Sequence, residues 1–197
     1  GRGGDQVVVK SNQSAARFYG GATNPMEKRT RVRARMISQT VAELMEQSDN
    51  IMIVGHATPD LDAVGAGLGI WRMAQTKNKP AFVIIDEKTV YSDIKLLLAE
   101  IRKNTPDIVA PGSNINDSIV DETRALKLVR ENTLLILIDH AQSAITSAPH
   151  LLDRLANRVV VIDHHRLAEQ GLDQKPLLTY VEPYASSTSE LVVEMLQ

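Results

Sequence analysis

The feature that most constrains the fold is a series of short, uninterrupted apolar runs separated by helix-forming stretches. Four such runs occur, at residues 51–54, 81–85, 134–138 and 159–162. Helices are predicted between and around them, near 63–75, 92–103, 117–130 and 148–155. The runs do not alternate between apolar and polar residues, as strands with one solvent-facing side would. The pattern therefore predicts a doubly wound α/β domain whose mainly parallel sheet carries helices on both faces.

Composition is compatible with about one such domain in 197 residues. The chain is 43% hydrophobic and 23% charged, which excludes disordered and low-complexity classes. A net charge of −2 argues against a stable nucleic-acid complex. Cysteine is absent, which excludes disulfide scaffolds, thiolate zinc sites and cysteine nucleophiles. No apolar run reaches the roughly 18 residues that a membrane-spanning helix needs, so we expect a soluble chain.

The first 49 residues have a different pattern. Val7–Val9 is predicted to form an edge strand, and residues 11–25 are polar and contain glycine and proline, as in a linker. A long helix is predicted over residues 26–49. The basic run at 28–35 fits a solvated helix surface, but it also fits an interface with an anionic partner or a neighbouring domain.

Side chains that can bind metals follow three of the four apolar runs. His56, Asp60 and Asp62 follow the first with the spacing H-x3-D-x-D. Asp139 follows the third run, and the triplet Asp163–His165 follows the fourth. Because ligands of open α/β sheets bind outside the carboxyl ends of the strands, we expect these three groups to converge.

Metal binding accounts best for the first group. Asp62 could instead be the N-cap of the helix that follows it. Three carboxylate or imidazole groups within seven residues, however, need a cation among them. The Asp139 carboxylate could bridge two metals about 3.5–4 Å apart. Carboxylate and imidazole ligands without thiolate suit Mn²⁺ or Mg²⁺, so the pattern indicates a two-metal phosphoester hydrolase.

The two histidines of the triplet are not expected to be equivalent. Consecutive side chains leaving a strand point to opposite sides, so at most one of His164 and His165 is expected to ligate a metal. Asp163 could hold an imidazole in one tautomer. The other histidine could face a substrate phosphate or donate a proton.

Two further patterns are given structural roles. Gly65, Gly67 and Gly69 have the spacing G-x-G-x-G, which is not a dinucleotide-binding fingerprint and predicts close packing of a helix on the sheet. Ser187 and Glu190 have the spacing of a capping box, which predicts the start of the last helix. A helix N-terminus can also bind phosphate, and the two roles are compatible.

These motifs resemble the DHH phosphoesterase superfamily. The resemblance rests on G-H-x-x-P-D-x-D-A-V-G-A, on the aspartate after the third run, and on V-V-V-I-D-H-H. Two more segments, F-Y-G-G-A-T-N-P-M-E-K-R and E-P-Y-A-S-S-T-S-E-L-V, are similar to the membrane-anchored cyclic-di-AMP phosphodiesterases of Gram-positive bacteria. That family implies hydrolysis of cyclic-di-AMP to pApA with two Mn²⁺ ions, which Mg²⁺ or Co²⁺ could replace.

The resemblance also implies a role for each candidate residue. The metal ligands would be His56, Asp60 and Asp139 for one ion and Asp62, Asp139 and His164 for the other. Asp163 would support a ligating imidazole, and His165 would approach the substrate phosphate. His140 is assigned no role.

The resemblance further implies a division of the chain. Residues 1–24 would end a degenerate GGDEF domain and its linker, 25–49 would form a linker helix, and 50–197 would belong to the DHH domain. A further metal ligand and a DHH-associated domain would follow Gln197, so we expect a fragment with little or no turnover of its own. The full protein would be a signalling enzyme, a homodimer at the cytoplasmic face of the membrane.

Two other hypotheses remain open. Another activity of the superfamily, such as nanoRNase or 5′-phosphoadenosine phosphatase, would use the same motifs. A segment that acts only as a regulatory or dimerisation module is the alternative outside enzymes.

Overall fold

The computed structural model describes residues 7–9, 17–19, 25–104, 114–166 and 171–197, with side chains from Arg33 onward. The strands are β1 Val7–Val9, β2 Arg17–Tyr19, β3 Asn50–Val54, β4 Ala81–Ile84, β5 Ile119–Val120, β6 Thr133–Ile138, β7 Val159–Asp163 and β8 Leu178–Val181. The helices are α1 Pro25–Glu46, α2 Leu61–Thr76, α3 Ser92–Asn104, α4 Ile115–Ser118, α5 Glu122–Leu128, α6 Pro149–Leu155 and α7 Thr188–Leu196.

The main sheet has six strands in the order β5-β4-β3-β6-β7-β8, and every neighbouring pair is parallel. The four predicted apolar runs form β3, β4, β6 and β7, the central strands. The chain adds strands outward on one side of β3 and then returns to start β6 on its other side. The carboxyl ends of β3 and β6 therefore flank the topological switch point, where such sheets bind ligands.

Two apolar cores lie on opposite faces of this sheet. Val41 of α1, Ile94 of α3 and Leu191 of α7 belong to one core, together with much of α2. Ala125 of α5 and Leu151 of α6 belong to the other. The predicted doubly wound architecture, with helices on both faces, is confirmed.

Two strands of the sheet were not expected from the sequence. The single helix predicted over 117–130 is wrong, because α4, β5 and α5 occupy that stretch. The two residues of β5 are too few to stand out as an apolar run, and Asp121 then caps α5 by accepting the Arg124 N–H at 2.8 Å. Strand β8, at the sheet edge, is only partly buried, so its sequence mixes polar and apolar residues.

The glycines of α2 allow two different contacts. A Cβ on Gly67 would lie 3.5 Å from Val83 Cγ1 of the sheet, an ordinary contact distance. A Cβ on Gly69 would lie only 2.5 Å from Val192 Cγ1 of α7. Close packing on the sheet, the predicted role, holds for Gly67, whereas Gly69 lets α7 approach α2.

The amino-terminal residues form a separate two-stranded antiparallel pair of β1 with β2. The strand predicted at Val7–Val9 is confirmed, but the linker predicted over 11–25 contains β2 and the first residue of α1. The rest of that linker, and the side chains of 28–32 in the basic run, lie outside the described residues. Helix α1 ends at Glu46, three residues before the predicted end. Among the described helices, none combines the length and the apolar character that crossing a bilayer requires.

Candidate metal centre

The three groups of polar side chains converge on Asp139, as the sequence predicted. Asp139 follows β6 and is 3% exposed. Its Oδ2 lies 3.6 Å from His56 Nε2, while its Oδ1 lies 3.6 Å from His164 Nε2 and 3.7 Å from His165 Nδ1. Within this buried carboxylate, Oδ2 therefore faces His56, whereas Oδ1 faces His164 and His165.

The backbone of Asp139 leaves the strand abruptly. Its φ is 63°, in the left-handed region that non-glycine residues seldom adopt, although aspartate tolerates it better than most. The Asp139 N–H still donates to Ile162 O at 2.9 Å, which ties the residue to β7. Backbone strain of this kind persists only where the surrounding structure enforces it, and it is common at functional sites.

The Asp60 carboxylate approaches an imidazole and also accepts backbone hydrogen bonds. Its Oδ1 lies 3.9 Å from His56 Nε2, and the same oxygen accepts the N–H groups of Asp62 and Ala63, both at 2.9 Å. Asp60 is thus the N-cap of α2, so the alternative in which Asp62 caps that helix is wrong. Asp139 raises the pKa of His56 above its usual value, against the opposing effect of partial burial.

The Asp62 carboxylate accepts hydrogen bonds from the first turn of α7. Its Oδ2 and Oδ1 accept the N–H groups of Thr188 and Ser189, each at 2.8 Å. Partial burial would raise the pKa of Asp62, but the hydrogen bonds from Ser189 and Thr188 outweigh burial and lower it. Asp62 Oδ2 also lies 3.7 Å from His164 Nε2. The first turn of α7 is therefore fastened to the candidate site by a carboxylate.

The histidines of the triplet both approach Asp139, so they do not point to opposite sides as expected. That at most one of them ligates a metal stays a prediction. Strand β7 ends at Asp163, and the two imidazoles lie beyond it, where the alternation of strand side chains no longer applies. Asp163 Oδ1 accepts the backbone N–H of His165 at 3.1 Å and lies 2.8 Å from its Nδ1. Asp163 thus supports His165, while His164 Nδ1 lies 3.4 Å from Ala185 O. Partial burial opposes protonation of His165, but Asp163 and Asp139 together raise its pKa.

The predicted start of the last helix is confirmed, with one difference. Ser187 Oγ accepts the N–H of Glu190 at 3.0 Å, as an N-cap should. The carboxylate of Glu190 reaches one residue further back than in a capping box, to the N–H and hydroxyl of Ser186. Those hydrogen bonds lower the pKa of Glu190.

Two groups of donor atoms have a spacing that suits a divalent cation. Within the described residues, two groups have ligand atoms lying within 4.8 Å of one another: His56, Asp60 and Asp139, and Asp139, His164 and His165. Ligands held about 2.1 Å from one octahedral ion lie roughly 3.0–4.2 Å apart. The separations of 3.6 to 3.9 Å between His56 Nε2 and its carboxylate neighbours fall in that range. The second group differs from the ligand set that the resemblance implies, because it contains His165 in place of Asp62. Asp62 adjoins this group through its contact with His164.

Residues 50–197 match the DHH family, N-terminal domain. The chain belongs to the DHH family. It is 44% identical, over all of its 197 residues, to the cyclic-di-AMP phosphodiesterase PdeA of Listeria monocytogenes. It is 45% identical over the same length to the cyclic-di-AMP phosphodiesterase GdpP of Geobacillus thermodenitrificans. The chain spans 28% of the length of each of these relatives.

A solved structure gives the same assignment of fold. The crystal structure of an exopolyphosphatase-related protein from Bacteroides fragilis superimposes with a TM-score of 0.57 and 26% sequence identity. The superposition covers 81% of this chain and 42% of that protein. The resemblance to the DHH superfamily and the α/β fold predicted from the apolar runs are both confirmed.

Two buried side chains beside the candidate metal centre were assigned no role from the sequence. The hydroxyl of Thr188 donates to Asp139 Oδ1 at 2.7 Å, a contact across 49 residues that local spacing could not reveal. His140 is 1% exposed, with Nδ1 2.9 Å from Ile138 O and with Nε2 unpartnered among the described residues. Burial lowers the pKa of His140.

A cavity of about 410 Å³ adjoins the DHH site on the side of β4. Ala57 and Pro59 line it, and both belong to the loop that carries His56 and Asp60. Three carboxylates also line it, from Asp86, Asp121 and Glu122. All three already hold local structure, since their oxygens accept the N–H groups of Lys88, Arg124 and Leu151.

Proposed function

We propose that this chain is the metal-binding catalytic part of a phosphodiesterase that hydrolyses cyclic-di-AMP to the linear dinucleotide pApA. The observation that carries the proposal is the sharing of one buried carboxylate, Asp139, by two groups of nitrogen and oxygen ligands. That arrangement suits a two-metal site for phosphoester hydrolysis. The choice of substrate is supported by relatives at 44–45% identity that are named for this activity.

His56, Asp60 and Asp139 would hold one Mn²⁺ ion, and Asp62, Asp139 and His164 would hold the other. Bound there, the two ions would lower the pKa of a water molecule and stabilise charge on the phosphoryl group. Asp139 would then orient both halves of the site, because its oxygens face in two directions. Mg²⁺ or Co²⁺ would suit the same oxygen and imidazole donors.

His165 is proposed as the residue that approaches the substrate phosphate. Its side chain is 57% exposed, the highest of the three imidazoles around Asp139. With Nδ1 engaged by Asp163, its Nε2 is left for the substrate. In the hydrolysis, water adds to phosphorus and the bond from phosphorus to the 3′ oxygen breaks. The product then carries a 5′-phosphate and a 3′-hydroxyl, and His165 would supply a hydrogen bond or a proton on that path.

The family assignment also supports a wider proposal for the full-length gene product. We propose a homodimer at the cytoplasmic face of the membrane, with a degenerate GGDEF domain ahead of the DHH domain and a DHH-associated domain after it. In that arrangement residues 1–24 end the GGDEF domain and its linker, and 25–49 form the linker helix. The substrate pocket would be completed by the DHH-associated domain.

The test is a substrate panel with the full-length gene product and Mn²⁺. Cyclic-di-AMP, cyclic-di-GMP, pApA and pyrophosphate are incubated separately, and the products are resolved by chromatography. We expect preferential conversion of cyclic-di-AMP to pApA, and loss of that activity in Asp62→Ala and Asp139→Ala. Preferential conversion of pApA would favour the nanoRNase hypothesis, and activity retained in both variants would overturn the two-metal assignment.

The 197-residue chain is assayed beside the full-length product. Little or no turnover, together with retained Mn²⁺ binding, is expected if the pocket is completed elsewhere. If neither protein turns over substrate or binds Mn²⁺, the hypothesis of a non-catalytic regulatory or dimerisation module is favoured.

A further inference from the structure

Thr188 contacts two of the three acidic residues proposed as metal ligands. It is the first residue of α7 and is fully buried. Its hydroxyl donates to Asp139 Oδ1 at 2.7 Å, and its backbone N–H donates to Asp62 Oδ2 at 2.8 Å. One residue therefore bonds carboxylates that follow two different strands of the sheet.

The hydroxyl contact determines how the Asp139 carboxylate is turned. The last torsion of an aspartate is broad and roughly two-fold, so an unsupported carboxylate samples a range of orientations. A donor at Oδ1 selects the orientation in which Oδ1 faces His164 and Oδ2 faces His56. Both proposed metal positions depend on that division of the two oxygens.

The hydroxyl is not needed to start the helix. Ser187 is the N-cap of α7, and its Oγ accepts the N–H of Glu190. The N–H groups of Thr188 and Ser189 are both accepted by Asp62. The Thr188 hydroxyl therefore takes no part in capping α7, and its described hydrogen-bond partner is the Asp139 carboxylate.

Helix α7, which carries the Thr188 donor, is held by contacts with two other helices. The hydroxyl of Ser38 in α1 donates to Met195 O at 2.6 Å near the end of α7. Along its length, α7 packs on the glycine face of α2, where Val192 fills the space beside Gly69. These contacts restrain α7, so a turn of the Asp139 carboxylate would lengthen its hydrogen bond to Thr188.

We propose that Thr188 is a positioning residue of the metal centre, whose hydroxyl fixes the orientation of Asp139 before metal is bound. The inference rests on the proposed function, because it concerns the ligands of the proposed ions. Residues that orient metal ligands typically contribute 10–100-fold to metal affinity. We expect an effect of about that size from the Thr188 hydroxyl.

The experiment compares three variants of the full-length gene product with the unaltered protein. Thr188→Val removes the hydroxyl at nearly constant volume, and Thr188→Ser keeps the hydroxyl and removes the methyl group. Thr146→Val is the matched control, since Thr146 is also buried but its hydroxyl has no partner among the described residues. Mn²⁺ affinity is measured by isothermal titration calorimetry, and coupling between bound ions by electron paramagnetic resonance.

We expect Thr188→Val to weaken Mn²⁺ binding by about 10–100-fold, with Thr188→Ser and Thr146→Val close to the unaltered protein. Equal affinity in Thr188→Val would overturn the inference, as would Thr188→Ser behaving like Thr188→Val, because the methyl group would then be responsible. If Thr188→Val does not fold, Thr188→Ala replaces it with the same expectation. Absence of Mn²⁺ binding by the unaltered protein would instead refute the proposed metal centre itself.

Discussion

Asp62, in the first turn of α2, and Ser189, in the first turn of α7, are bonded to each other twice. Asp62 Oδ1 accepts the Ser189 N–H at 2.8 Å, and the Ser189 hydroxyl donates to the backbone oxygen of Asp62 at 3.0 Å. The two residues lie 127 positions apart in the chain. Closing this contact brings the amino-terminal ends of two helices together at the carboxyl edge of the sheet. Stability and site geometry are therefore coupled at Asp62.

Asp62→Ala should destabilise the metal-free protein by about 1.5–3 kcal/mol, since it removes a charged acceptor from two N–H groups of α7. Asp62→Asn keeps one acceptor oxygen, so its free energy of unfolding should lie between those of the unaltered protein and Asp62→Ala. Urea unfolding at pH 7 measures the difference, with the exposed Asp153→Ala as the control. The pKa of Asp62 is lowered in the folded state, so its contribution is present above its ordinary pKa and is lost as pH falls through the lowered value. Equal stability of Asp62→Ala and the unaltered protein would contradict this account.

Gly69→Ala should destabilise the protein and Gly67→Ala should not, although both replace glycine in the same helix. Alanine has the higher helix propensity by about 1 kcal/mol. At Gly67 the new Cβ would meet Val83 Cγ1 at 3.5 Å, so we expect a neutral or stabilising effect. At Gly69 it would lie 2.5 Å from Val192 Cγ1, and overpacking of this kind costs about 1–3 kcal/mol.

Thermal unfolding of both glycine variants measures these effects. In a Val192→Ala background, Gly69→Ala should no longer destabilise the protein, because the side chain that it meets has been cut back. If Gly69→Ala destabilised equally in both backgrounds, contact between α2 and α7 would not be the cause.

Tyr180 should make the protein sensitive to alkali. Burial, together with the negative charges of Glu194 and Glu182, raises the pKa of its phenol to about 12, against an opposing effect of Arg33. A pKa raised in the folded state contributes stability that is complete below the ordinary value of about 10 and is lost as pH rises through about 12. Difference absorbance titration against Tyr180→Phe should isolate this late-titrating phenol.

Tyr180→Phe should also leave the stability at pH 7 unchanged or increase it by up to about 1 kcal/mol. The Tyr180 hydroxyl is buried without a hydrogen-bond partner among the described residues, so its removal sacrifices no described bond. A loss of more than about 1 kcal/mol on this substitution would show that the hydroxyl has a partner.

Asp163→Asn should reduce turnover with little effect on Mn²⁺ affinity. The carboxylate of Asp163 holds His165 through both its ring and its backbone N–H. A neutral amide would support a protonated imidazole less well, so kcat should fall by about 10²-fold, within the usual range for general acid–base catalysis. Steady-state kinetics and calorimetry of the full-length gene product provide the two readouts, with Asp153→Ala as the control. An unchanged kcat would remove His165 from the proposed mechanism.

Much of the fold could be predicted from short-range patterns. The four apolar runs became the central strands, because a strand covered on both faces must be apolar throughout. Strands β5 and β8 could not be recognised in this way. The first has only two residues, and the second lies at an edge where part of it meets solvent.

The convergence of the candidate residues could be predicted from the sequence, but the hydrogen bonds that each of them makes could not. Strand ends in a parallel sheet must meet at one edge, so the convergence of His56, Asp139 and His164 followed from the topology. Which carboxylate supports which partner depended on where β7 ends and how α7 docks. For that reason Asp62 accepts N–H groups of α7, and Asp163 supports His165.

The sequence by itself determined the α/β class, the strand ends that carry ligands and the absence of thiolate chemistry, because these follow from residue type and local periodicity. Only the tertiary structure decided that α7 closes over the site and that Thr188 donates to Asp139. Such contacts join residues 49 to 127 positions apart. A hydrogen bond extends over about 3 Å, so its existence depends on the packing of whole helices, here on Gly69, which lets α7 approach α2.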